Sequence, residues 1–116
     1  MPENAEEPAA YEILFADEAY LAYVALPSDR LFDRITHSIK LLECSPLLGR
    51  IYDPAYEAKR PPVPCRVLYC EHYGIYYTVD DEARALYILA IEDQRRDPKN
   101  RFSSYSSYVY AVESLD

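Results

Sequence analysis

Two basic groups in this 116-residue chain are dense enough to hold an anion. RRDPKNR, residues 95–101, sets four cations against one acid, and Lys59 with Arg60 forms the basic pair of a proline-rich stretch. Gathered on one face, such cations attract acidic partners; scattered, they are ordinary solvated charge. The net charge of −8 opposes nonspecific attachment to a nucleic-acid backbone. That average conceals a division, because residues 1–29 carry seven acids and no base whereas residues 30–79 carry seven bases and five acids. Either an acidic N-terminal part masks a locally basic face, or the charges are independent of one another.

Cys44, Cys65 and Cys70 are odd in number and contain no C-x-x-C pair, which gives neither a disulfide framework nor a zinc pattern. Cys65 and Cys70 are five apart, so on one strand they would point to opposite faces. All three read as small buried hydrophobes, and neither a metal nor a cofactor is expected. Thirteen tyrosines exceed what a core of this size needs, so some of them are expected at the surface.

One domain must position these residues, spanning 10–116 behind an acidic tail of residues 1–9 that buries nothing and is expected to be disordered. No apolar run approaches the span of a bilayer. The start lacks the basic end and apolar stretch of a signal peptide, so a cytoplasmic location is expected. AYEILFA alternates, with Tyr11, Ile13 and Phe15 on one face, and predicts a first strand. Asp17 is predicted to cap a short helix that Pro27 closes. Ser28 is predicted to cap a second helix running to about Cys44, with Leu31, Ile35, Ile39 and Leu42 on its apolar face.

Residues 45–64 hold five prolines and no sustained period, and read as one long loop. CRVLYC, YGIYYTV and RALYILAI then predict an antiparallel meander whose last strand, apolar on both faces, is central. In the middle strand Tyr73, Ile75, Tyr77 and Val79 share the core face. Gly74 therefore lies on the other face, where a glycine weakens a strand unless something needs the room. Phe102, Tyr105, Val109 and Val112 recur at helical spacing although YVYAV also alternates as a strand; a short C-terminal helix is the reading. The fold class is α+β: a strand, a two-helix hairpin, a three-stranded antiparallel meander in one sheet, and a short helix.

This order, with the phrases YEILFADEAYLAYVALP, LLECSPLLGR and YGIYYTVDDEARALYILAIEDQRRDP, resembles the RelE/ParE superfamily of toxins from bacterial toxin–antitoxin modules. The likeness runs from about Tyr11 to Phe102, and its strongest part is the hairpin similar to the family's YRIIYEIDDE. The resemblance implies a toxin held by a cognate antitoxin, with RelE-like members cutting ribosome-bound messenger RNA and ParE-like members inhibiting DNA gyrase. RNA cleavage by a 2′-hydroxyl needs cations for the phosphorane and a proton donor for the leaving oxygen. Where the family most often has Arg after the strand-opening Tyr, this chain has Gly74. Its GHRR-like ending becomes EDQRR, so Gln94 or Arg95 takes the usual Arg position, and Phe102 or Arg101 lies where a catalytic Tyr is expected.

On that resemblance Arg95 and Arg96 would bind phosphate, with Lys59, Arg60 and Arg101 as further substrate contacts. Arg66 would stabilise charge from the sheet, and His72 or Tyr105 would act as acid or base. Convergence of Arg66, Arg95 and Arg96 on one cleft is the geometric expectation of the RNA-cleaving reading, which is placed first. The alternative is a ParE-like gyrase inhibitor, or a toxin fold without chemistry, acting by protein binding through aromatic surface such as Tyr52, Tyr56 and the tail tyrosines. A domain of this fold recruited to an unrelated interaction is the third.

Overall fold

The computed structural model describes residues 10–52 and 64–95. Strand β1 (Glu12–Phe15) leads into helices α1 (Asp17–Val24) and α2 (Asp29–Cys44), and strands β2 (Arg50–Ile51), β3 (Arg66–Cys70), β4 (Tyr73–Asp80) and β5 (Ala85–Asp93) follow. They form one sheet of order β1-β5-β4-β3-β2, in which β1 runs parallel to β5 and the other pairs are antiparallel. The α+β class and the meander are as the alternation implied. The expected tail of residues 1–9 and the expected C-terminal helix lie outside the described residues.

Helix α2 forms where its sequence says it should. The Ser28 side chain accepts the Leu31 N–H at 3.1 Å, satisfying one of the orphan donors of the first turn, and Leu31, Ile35, Ile39 and Leu42 are buried on one face. Asp17 does not cap α1: Ala16 holds the extended cap position with no side-chain bond, and Asp17 is the first helical residue, where its charge suits the positive end of the helix dipole. Phe15 and Ile88 are register partners, as are Ile88 and Tyr77, so all three share one sheet face. Because Phe15 stacks on Tyr23 of α1, with centroids 5.2 Å apart, that is the face the helices cover.

Strand β5 is buried along most of its length between β1 and β4. Its ladder with β4 steps by one residue between Tyr76↔Ala90 and Tyr77↔Ile88, leaving Leu89 as the extra residue of a bulge. The step returns Ile88 to the helix-covered face already occupied by Ile91, which strict alternation would forbid.

Two features correct the linear reading. The stretch taken as one loop contains β2, paired with β3 through Arg50↔Val67 and Ile51↔Arg66. Of the three cysteines only Cys65 is buried; Cys70 is half-buried, and Cys44, on the last turn of α2, is exposed. Burial pushes the Cys65 thiol up to about 12.

Candidate functional site

Glycine 74 lies on the sheet face away from the helices, beside Tyr69 of β3 and Glu92 of β5. Its missing side chain leaves no hollow. A Cβ there would stand 2.7 Å from Gln94 Nε2 and 2.9 Å from Tyr76 Cε1, so the room is filled by the Gln94 amide folded back over β4. Hydrogen bonds hold it. The Gln94 backbone N–H donates to the His72 carbonyl at 2.7 Å, and Nε2 donates to the Tyr76 hydroxyl at 3.0 Å and the Glu92 carbonyl at 3.3 Å. A carbonyl only accepts, so the atom turned toward Glu92 is the amide nitrogen. On the same face Tyr52 packs edge-on to the fully buried Tyr76, and the Arg50 guanidinium lies 5.3 Å from the Tyr69 ring centroid.

Arg66 is elsewhere. It is the register partner of Tyr77, on the helix-covered face, and its Nη1 donates to the Gly49 carbonyl at 2.8 Å. The Tyr77 hydroxyl accepts the Gly49 N–H and donates to the Pro46 carbonyl, each at 2.8 Å, which closes the chain leaving α2 against β3 and β4. Burial raises the Tyr77 phenol, partly offset by the Gly49 bond and the Arg66 charge. Arg66 also lines an open recess of about 390 Å³ with Leu47, Ile51, Cys65 and Tyr77.

His72 and Arg95 do come together, at the opposite end of the sheet. His72 follows Glu71, which takes φ 58° in the tight β3–β4 turn and binds Arg30 at 3.0 Å and Arg34 at 2.7 Å, fixing the turn to α2. Arg95 grips Asp93 through Nε at 3.1 Å and Nη2 at 3.0 Å, and its own N–H donates to the same carboxylate. That grip, aided by the His72 charge and opposed by slight desolvation, holds the Asp93 carboxyl below its ordinary range and raises the Arg95 guanidinium. Asp93 is the register partner of Tyr73, four residues along β4 from Tyr77, so this end and the Arg66 end are about 13 Å apart along the strand.

Lys59, Arg60, Arg96, Arg101, Tyr105 and Tyr56 lie outside the described residues. Among the described residues no three His, Cys, Asp or Glu side chains stand together as a metal-binding set, and no helix is long and apolar enough to cross a membrane. Nothing in the residue pattern directly indicates that Gln94 folds onto Gly74. The one signal was that Gly74, and either Gln94 or Arg95, occupy positions where the resembled family carries arginine.

A parallel β1–β5 pair, a helical hairpin and an antiparallel meander define a toxin fold of the RelE type. Solved structures similar to it are the isolated E. coli RelE toxin (16% identity, TM-score 0.59, covering 92% of this chain and all of that one) and RelE in the archaeal RelE–RelB complex from Pyrococcus horikoshii OT3 (15%, 0.59, 76% and 99%). A third is the toxin–antitoxin complex RelBE2 from Mycobacterium tuberculosis (20%, 0.57, 72% and 98%). Among curated proteins none matches the chain in sequence. Residues 14–98 match the model of the ParE toxin of the type II toxin–antitoxin system parDE, and the chain belongs to that family, within the RelE/ParE superfamily.

Proposed function

We infer that this toxin of a type II toxin–antitoxin module acts by binding a protein target, DNA gyrase being the target its family suggests, rather than by cutting messenger RNA. The observation that carries this reading is the contact between Gly74 and Gln94. Gly74 stands where the resembled nucleases most often place arginine, Gln94 or Arg95 takes their second arginine position, and Gly74 and Gln94, which touch, offer no charge to a phosphorane. Arg66, on the other face, is bonded to Gly49, and Arg95 pairs with Asp93 at the surface. The chain does expose apolar and aromatic groups suited to protein contact, including Tyr20, Leu21, Leu47, Leu48 and Ile51. A cognate antitoxin is the expected second partner, two of the similar structures being toxin–antitoxin complexes. Both partners would meet the toxin in the cytoplasm.

Adding the purified chain to gyrase and relaxed plasmid tests the target. Supercoiling is expected to fall as toxin is titrated, and to fall equally with an Arg66→Ala, Arg95→Ala variant. Undiminished supercoiling at large molar excess would remove gyrase from the proposal.

A further inference from the structure

Strand β1 is one of the two edge strands of the sheet formed by the described residues. Within the parallel β1–β5 ladder the N–H of Glu12 donates to the Arg84 carbonyl and that of Ala16 to the Ile88 carbonyl, both at 2.9 Å. Alternation then turns the N–H and C=O of Ile13 and Phe15 outward, and among the described residues no strand lies beyond β1. Natural edges are often blunted by proline, lysine, a bulge or short length. EILF is four residues long, has no proline, lysine or bulge, and carries one charge, the acidic Glu12.

The ground beside this edge is apolar and acidic. Tyr20, Leu21 and Val24 of α1 are 51%, 58% and 51% exposed, and Phe15, Asp17, Tyr20 and Leu21 line an open recess of about 430 Å³. Glu12, Asp17 and Glu18 stand on or next to it, and residues 1–29 contain no base. The Arg84 guanidinium lies 4.4 Å from the Tyr11 ring centroid, at the Glu12 end of β1.

We propose that β1 is a docking edge for an extended, basic segment of a partner protein, which adds as a sixth strand. Ile13 and Phe15 supply main-chain bonds, the Phe15–Tyr20–Leu21 recess takes alternate apolar side chains, and Glu12, Asp17 and Glu18 select lysine or arginine between them. A second copy of this chain is disfavoured as the occupant, because two acidic edges would be brought together. The proposal stands independently of the gyrase reading, since it concerns a binding edge and not the toxin's target.

The test uses the full chain and two synthetic peptides, one alternating lysine with valine and one alternating glutamate with valine. The lysine peptide is expected to bind and to slow amide exchange at Ile13 and Phe15 by about tenfold or more, with affinity falling as salt rises. The glutamate peptide is expected to do neither. Ile13→Pro deletes an outward donor without touching the ladder, and Leu21→Lys alters only the exposed rim; each is expected to weaken binding by about tenfold. Equal binding of both peptides, unchanged exchange at Ile13 and Phe15, full affinity in a folded Leu21→Lys variant, or a dimer formed through β1 would each overturn the proposal.

Discussion

The two glycines of this chain answer to different constraints. At Gly49 an added Cβ would meet the Val67 carbonyl oxygen at 2.7 Å, its carbon at 2.9 Å and the Tyr77 hydroxyl at 2.6 Å, so two of the three obstacles are strand backbone. At Gly74 the nearest obstacle is the end of a glutamine side chain, which can swing away, and the next is a tyrosine ring. The first glycine is demanded by the fold, which draws the chain after α2 tightly onto β3. The second is demanded by two side chains, the Gln94 amide and the Tyr76 ring.

Substitution at each position should separate the two cases. Gly49→Ala is expected to cost the most, about 2–3 kcal/mol in denaturant unfolding, because neither the β3 backbone nor the buried Tyr77 can yield cheaply. A cost under about 0.5 kcal/mol would mean that this approach is looser than it stands here. Tyr77→Phe is next, at about 1–2 kcal/mol, since it strips the Gly49 N–H of its acceptor and the Pro46 carbonyl of its donor. Gly74→Ala is expected to cost under about 1 kcal/mol, as gained strand propensity offsets the displaced amide. In a Gln94→Ala background the part of that cost due to the amide should vanish and the part due to the Tyr76 ring should remain, and a double-mutant cycle with no coupling would dissociate Gly74 from Gln94.

Smaller effects sharpen the contrast between the ends of the sheet. Alkylation of the native chain near pH 8 is expected to modify Cys44 and spare Cys65, whose thiol is pushed up to about 12, with mass spectrometry locating the adduct. The smallest effect concerns Asp93, whose folded carboxyl titrates below the ordinary 3.8. Its contribution is complete above that ordinary value and is lost as pH falls through the lower folded value. Arg95→Ala is therefore expected to raise the Asp93 titration toward 3.8 by NMR and to flatten the acid limb of stability.

Helix α2 could be read from the chain because local signals agree: Ser28 caps it, and Leu31, Ile35, Ile39 and Leu42 repeat with its period. Strand β5 was legible as an interior strand from being apolar on both faces, although β4 holds the middle of the five. Strand β2 was not, since two residues carry no period and owe their conformation to β3 and to the Gly49, Tyr77 and Arg66 bonds. The Leu89 bulge was hidden because its neighbours are apolar in either register. Of the site, the exceptional character of Gly74 showed in the sequence. The Gln94 amide that fills its room did not, because that contact depends on how β5 ends beside the His72 carbonyl.

The most direct measurement is the mapping of messenger RNA ends after the chain is induced in bacteria. Growth arrest without new ends inside translated codons is the expected result, since no cation stands at Gly74 or Gln94. New ends that appear with arrest, and are lost in an Arg66→Ala, Arg95→Ala, Arg96→Ala variant, would contradict it and return the chain to the RNA-cleaving toxins.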